Sequence, residues 1–227
     1  ERHGVVPADQ FLKAAADFDA SQYPILESKP KTAGLEGFIF PDTYFVSGDP
    51  STTPAELSEG IVEKALNNFS KKFTGDMQAQ ARRGNMSVYQ IVTLASIIER
   101  ETGRNAVTDE QKQALDEERR IIAGIFYNRL NIGMPLESDA TVNFITKKNT
   151  PQATASDTAI DSPYNTYKYK GLPPGPISNP SLSSIMAALY PTKSDYYYFL
   201  HKQPSGEPVY SKTYEEHLRN KAKYLDH

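Results

Sequence analysis

Between Ser87 and Gly133 the chain carries two strong helix signals in succession, and this pair constrains the fold more than any other feature. Ser87 and Gln90 form a capping box, in which the serine oxygen takes an N3 amide and the Gln side chain reaches back to the N-cap amide. The pattern predicts a helix from there to about Thr102, stopped by Gly103. A second, longer helix is expected from roughly Asp109 to Asn131, with Gly133 at the C′ position, where a left-handed backbone favours glycine. Its later half, "IIAGIFYNRL", is apolar enough for a central core helix. The first helix is apolar until its end, "LASIIERETG" (Leu94–Gly103), where Glu99, Arg100 and Glu101 follow one another. A helix that starts in the core and finishes on two carboxylates needs an explanation.

Weaker signals surround this pair. Pro7 suits the start of a short helix through Phe18. Thr53-Pro54-Ala55-Glu56 is a capped helix start, with Leu57, Ile61, Ala65, Phe69 and Phe73 as its apolar face. Gly75 and Gly84 flank another short helix. "LEGFIFPDTYFVSG" (35–48) reads as one or two strands. From Thr146 to Asn179 the chain is rich in Pro, Ser, Thr, Asn, Tyr and Gly, with little helical period. A loop of that length in a compact domain is functional or disordered. Pro180 opens a helix through Leu189. "DYYYFLHK" (195–202) and "EPVYS" (207–211) read as a hairpin around Pro204-Ser205-Gly206, and Thr213 with Glu216 caps a last helix. The expected class is α+β, mainly helical, with short strands at both ends and a weak boundary near residues 49–53 or 84.

At 227 residues, 38% hydrophobic and 23% charged, the chain can bury a real core. A net charge of −3 without a long run of one sign argues against nucleic acid or an anionic membrane surface as a partner. No cysteine is present, which excludes disulfides and thiolate metal sites. The four His stand at no metal-ligand spacing, and no G-x-S-x-G or P-loop occurs. No metal or cofactor is therefore expected. No apolar run is long enough to span a bilayer and no signal peptide is visible. The abrupt start at Glu1 reads as that of a soluble piece of something longer.

What remains is carboxylate chemistry beside a polar loop. Three segments carry it. The first is the Glu99/Glu101 helix end. The second is "GMPLESDATVNF" (133–144), where Glu137, Ser138, Asp139 and Thr141 crowd a turn. The third is "SPYNTYKYKGLPPGPISNP" (162–180), where a Pro-Pro-Gly-Pro brace stiffens a run of Tyr, Asn and Thr, as suits a binding wall that loses little entropy on binding. Alone, each has an ordinary structural explanation. Two Glu at a helix end are commonly solvated, S-D-x-T is commonly an N-cap, and a Pro/Tyr loop commonly packs.

Taken in order, "LEGFIFPDTY", "LASIIERET", "IFYNRLNIGMPLESDATV", "SPYNTYKYKGLPPGPISNP" and "YYYFL…YSKTYEEH" resemble the bacterial endolytic murein transglycosylases, the YceG-like or MltG group. The resemblance covers roughly residues 35–220. Two departures stand out. The family's "SDPTV" run has Ala140 in place of Pro, and its G-x-H-x-F-S run is Gly206-Glu207-Pro208-Val209-Tyr210-Ser211 here. The resemblance implies the remainder of a small LysM-like α+β module at 1–50 and a YceG-like catalytic domain at 51–227. It implies a membrane-anchored ectodomain on the extracytoplasmic face of the bacterial cell membrane, with the anchor outside this chain. It further implies peptidoglycan glycan strands as substrate and partnership with peptidoglycan synthases (penicillin-binding proteins). The implied reaction cuts the β-1,4 bond between N-acetylmuramic acid and N-acetylglucosamine within a strand, leaving a 1,6-anhydro-muramoyl end.

Such a cut needs one acid, since the muramic C6 hydroxyl attacks C1 of its own sugar and the same carboxylate can take up the hydroxyl proton. Glu99 and Glu101 lie about 200° apart on a helix and cannot share that task. Glu101 follows Ile97 by four and Leu94 by seven, on the packed stripe, which favours it as acid/base. Glu99 is the alternative, or a structural partner of Arg100 or Arg129. Asp139 is the expected helper. Tyr164, Asn165, Thr166 and Tyr167 are expected to line the glycan cleft, with Ser138, Thr141 and Asn179 as further substrate contacts. A non-catalytic peptidoglycan-binding scaffold and a hydrolytic muramidase are the competing readings.

Overall fold

A computed structural model describes residues 6–46, 51–104, 106–148, 150 and 153–225. Its elements are α1 (Ala8–Asp17), α2 (Pro54–Lys72), α3 (Gly75–Arg83), α4 (Val88–Glu101), α5 (Asp109–Asn131), α6 (Asp139–Thr146), α7 (Ala155–Thr158), α8 (Leu182–Leu189), β1 (Tyr198–His201), β2 (Pro208–Ser211) and α9 (Tyr214–Tyr224). The class is α+β, with helices dominant and one two-stranded antiparallel sheet among the described residues.

The central element is α4. From Ile91 to Ile98 every residue is buried, on all faces of the helix, as only a helix surrounded by protein can be. It packs against α3, α5, α6 and α8. The polar residues that burial would penalise are satisfied locally. Thr93 donates to the Tyr89 carbonyl at 2.8 Å and Ser96 to the Thr93 carbonyl at 2.7 Å. Ser96 also organises the Pro-rich loop: its hydroxyl accepts the Ile177 amide at 3.0 Å, and its carbonyl accepts the Ser178 hydroxyl at 3.0 Å. The "GLPPGPISNP" segment is thus laid along the helix that ends in the two glutamates.

Helix starts follow the sequence closely, because caps are local chemistry. Thr53/Glu56, Ser87/Gln90 and Thr108/Gln111 all close capping boxes, and Thr213 accepts the Glu216 amide. Three expectations need correction. The buried face of α2 is Ser58, Val62, Ala65, Leu66 and Phe69, so Leu57 and Ile61 sit at its edge. Helix α8 begins at Leu182 with Ser181 as N-cap, two residues after Pro180. Residues 35–46 form no strand; the rest of the predicted strand segment, 47–48, lies outside the described residues.

The reason for the last difference is visible. Leu35, Phe38 and Phe40 are separate anchors driven into the core, not one face of a pleat. Gly37 turns the chain with φ +90°, and a Cβ there would stand 2.6 Å from Pro176. The amides of Gly37 and Ile39 go to Asn179 Oδ1 at 2.8 and 3.1 Å, which supplies what a neighbouring strand would have supplied. The C-terminal hairpin does form. Tyr198 pairs with Ser211, Phe199 with Tyr210, Leu200 with Val209 and His201 with Pro208.

Candidate active site

Glu101 closes α4 in a half-buried position, where the start of α6 meets it. Ser138 is the N-cap of α6, yet its hydroxyl caps nothing in that helix; it donates instead to Glu101 Oε1. Burial pushes the Glu101 carboxyl above the usual range. Ser138 pulls it back, the Asp139 charge pushes it up again, and the Ala140 amide pulls it down; a proton on His201 would pull it down as well. The balance is an acid that holds its proton more tightly than an ordinary glutamate.

Glu99, two residues earlier, faces the other way. Its Oε2 accepts the Ser181 amide at 3.0 Å, the Ser181 hydroxyl at 2.6 Å and the Ser184 hydroxyl at 2.7 Å, and Arg119 stands 4.0 Å from Oε1. Burial acts to raise its pKa, but these donors outweigh burial and hold the carboxyl below its ordinary range. A carboxylate at the N-terminus of a helix, here α8, is stabilised by the dipole as well. The partners of Glu99 are therefore Ser181, Ser184 and Arg119, and not Arg129. That arginine, 5% exposed, donates to the carbonyls of Tyr197, Pro135 and Leu136 and to Glu137 Oε2 at 2.6 to 3.0 Å.

The other expected residues divide into three groups. Asp139 and Tyr167 are brought beside Glu101: the Tyr167 hydroxyl donates to Asp139 Oδ1 at 2.7 Å, and burial followed by that bond raises the phenol strongly. Thr141, Asn165 and Thr166 are fully buried braces, each at most 1% exposed, and offer no side-chain surface to a cleft. Thr166 Oγ1 meets Thr141 Oγ1 at 2.9 Å and accepts the Ser138 amide at 3.0 Å. Asn165 donates to the carbonyls of Thr158 and Ile160 at 2.9 and 2.8 Å and accepts the Tyr167 amide at 3.0 Å. These residues hold Ser138 and Tyr167 in place. Tyr164 packs on Phe144 with ring centres 5.0 Å apart, and Asn179 is spent on Gly37 and Ile39.

Sequence reasoning missed Glu118, His201 and Arg104. Glu118 lies in α5, three after Leu115 and four before Ile122, and so falls on the buried stripe, the same signal that picked out Glu101. His201 Nε2 is 2.8 Å from Glu118 Oε1, and Arg104 donates to Glu118 Oε2. His201 also stands directly across the hairpin from Pro208, the position where the G-x-H-x-F-S run would carry its His. Cross-strand partners share a face of the ribbon, so an imidazole still reaches that end of the hairpin.

Fold and site together define a small α+β protein built around one buried helix that ends in a carboxylic acid of raised proton affinity. The YceG-like family matches residues 5–223, and the chain belongs to that family. It is 40% identical over 191 residues to an endolytic murein transglycosylase of Bacillus subtilis (strain 168), covering 84% of this chain and 48% of the relative. A Streptococcus pneumoniae protein of the same name, from serotype 2 strain D39, is 36% identical over 217 residues, covering 91% of this chain and 36% of the relative. The chain thus spans half or less of the length of these curated relatives. A crystal structure of a yceG-like protein from Listeria monocytogenes superposes with a TM-score of 0.73 at 34% identity, covering 95% of this chain and 65% of that one.

Proposed function

We propose that the chain is the catalytic part of an endolytic peptidoglycan lytic transglycosylase, with Glu101 as its general acid and then its base. The observation that carries this reading is the opposite titration of the two glutamates. Burial makes Glu101 hold its proton more tightly than an ordinary glutamate, as suits proton donation to a leaving oxygen, while Ser181 and Ser184 at the start of α8 make Glu99 hold its proton less tightly. The names of the relatives point to murein as the substrate.

Glu101 would protonate the glycosidic oxygen that leaves with N-acetylglucosamine. As positive charge grows at C1 of the muramic residue, the adjacent Asp139 carboxylate stabilises it and helps orient the sugar. The C6 hydroxyl of the same residue then attacks C1, and the Glu101 carboxylate takes its proton, which restores the acid. Both reacting groups belong to one sugar, so the step gains the high effective molarity of an intramolecular attack. Ser138 fixes the acid in position, and Tyr167 fixes Asp139.

Placement at the extracytoplasmic face of the cell membrane belongs to this proposal; among the described residues no helix is long and apolar enough to cross a membrane. Contact with peptidoglycan synthases belongs to the same proposal. So does the division into a LysM-like remainder at 1–50 and a catalytic domain at 51–227; that division concerns the origin of the segments, and packing crosses it. The deciding experiment is product analysis on purified sacculi. Non-reducing 1,6-anhydro ends are expected. Reducing ends alone would make the protein a muramidase, and binding to sacculi without any cleavage would make it a scaffold.

A further inference from the structure

Glu118 is a carboxylate that the proposed reaction does not use, and it is 3% exposed. Its two oxygens have different partners. Arg104, three residues beyond Glu101, donates to Oε2, and also to the Gly206 carbonyl in the hairpin turn. His201, at the end of β1, meets Oε1 at 2.8 Å. A buried carboxylate needs a compensating cation close by. Arg104 is always charged and supplies it. The imidazole can then remain neutral and serve only as a hydrogen-bond donor to Glu118.

The surroundings of His201 agree with a neutral ring. Its cross-strand partner is Pro208, and the Phe199 ring lies edge-on at 6.0 Å. The charged or titratable groups that face it are Glu118 from α5, Arg104 from the segment after α4, and Glu101 from α4. Burial first and Arg104 second pull the imidazole below its ordinary range, against the pull of Glu101. Glu101 is faced in addition by Asp139 and Ser138 from the start of α6. His201 and Glu101 are close enough to feel each other's charge, so a proton gained by one is disfavoured on the other.

We propose that Arg104 is a positioning residue for the cleft: by satisfying Glu118 it spares His201 from becoming the counter-cation, so that no imidazolium faces Glu101. The proposal rests on the reading of Glu101 as the acid. Without Arg104, His201 is the partner left to Glu118, and the imidazole takes a proton. The new cation then faces Glu101 and favours its carboxylate form. The acid is lost by ionisation and not by displacement.

Two measurements on the full chain test this. The first is an NMR titration of the His201 ring in the unchanged chain, in Arg104→Gln and in Arg104→Lys. The ring should titrate roughly one pH unit or more higher in Arg104→Gln, while Arg104→Lys, which keeps a cation on Glu118, should titrate like the unchanged chain. This readout needs no activity, so it succeeds or fails independently of the transglycosylase reading. The second is cleavage of sacculi against pH. Arg104→Gln should be slower by about tenfold at neutral pH, with its alkaline limb moved to lower pH. The double variant Arg104→Gln/His201→Gln should recover most of that loss, because no imidazole is left to take the proton. An unmoved His201 titration in folded Arg104→Gln would overturn the proposal, as would a double variant no faster than Arg104→Gln. Loss of activity in His201→Gln alone would also overturn it, by showing that the imidazole itself is required.

Discussion

Glu99 and Glu101 differ by two positions on one helix and respond to pH with opposite sign. Glu101 binds its proton more tightly folded than unfolded, so the folded state loses stability as pH rises from the ordinary glutamate range through the raised folded value. Glu99 binds its proton less tightly when folded, so its contribution is present above the ordinary range and is lost as pH falls through the lowered folded value. Thermal melts should therefore show Glu101→Gln as stable as the unchanged chain or more so at neutral pH, with no gain in acid. Glu99→Gln should be less stable at neutral pH. Activity should divide the other way: Glu101→Gln is expected to lose about 10²-fold or more, the scale of general acid catalysis, and Glu99→Gln to keep measurable turnover. A dead Glu99→Gln beside an active Glu101→Gln would reverse the assignment. Ala140 allows a finer test. Its amide is one of the groups that pull the Glu101 carboxyl down, and it sits in the first turn of α6, where proline is tolerated. Ala140→Pro removes that donor, so the alkaline limb of the pH–rate profile should move up. A limb that stays in place would show that the amide does not tune the acid.

At the scale of elements, buried polar groups join what the hydrophobic pattern cannot. Arg129 ties the end of α5 to the approach of β1 through the Tyr197 carbonyl, and to the turn before α6 through Pro135, Leu136 and Glu137. The guanidinium also lies over the Tyr198 ring at 5.0 Å. Arg129→Ala would leave the carbonyls of Tyr197, Pro135 and Leu136 without this donor, and a loss of about 2–4 kcal/mol is expected, on the scale of about 1–3 kcal/mol for each buried polar group left unpaired. Chemical denaturation measures it directly. Arg129→Lys should recover only part, since an ammonium cannot reproduce the fork of donors. A loss near zero for Arg129→Ala would mean that water replaces the guanidinium without cost. Most helices were legible because their signals are local; α6 and α7, short and set where a turn and a polar loop were expected, were not. A Thr or Ser, a Glu or Gln three residues on and a stripe of apolar side chains say where a helix starts and which way it faces. The strand reading of residues 35–46 failed because β-favouring residues fit any half-buried surface. Nothing within that segment reveals that Asn179, some 140 residues away, takes its amides.

For the whole molecule, one core runs through segments that are far apart in the chain. Tyr23, Ile25, Leu26, Leu35, Phe38 and Phe40 join the same cluster as Phe69, Ile91, Ile97, Phe126 and Ile185. Phe38 is fully buried, 5.0 Å from the Phe69 ring centre and 6.1 Å from that of Tyr89. Phe38→Ala should cost about 3–5 kcal/mol, as for other buried aromatics cut to alanine, and should lower the melting temperature of the chain in a single cooperative transition. A separate early transition that leaves the remainder at its original melting temperature would show that residues 1–50 pack as a unit of their own. The site depends on this arrangement too, since α4 can hold Glu101 still only if its flanks are filled from all sides.

The amino-acid sequence by itself determined the helices other than α6 and α7, the hairpin, the family-like segments and a choice between two glutamates, because caps, periodicity and motif order are written within short stretches of chain. Only the tertiary structure decided the chemistry of that choice. It brought Ser138, Asp139 and the Ala140 amide to Glu101, gave Glu99 to the start of α8, turned Thr141, Asn165 and Thr166 inward, and set His201, joined to Glu118 and through it to Arg104, within electrostatic reach of the acid. A proton affinity is set by the burial and charges around a group, and those neighbours come from helices and a hairpin up to about a hundred residues apart.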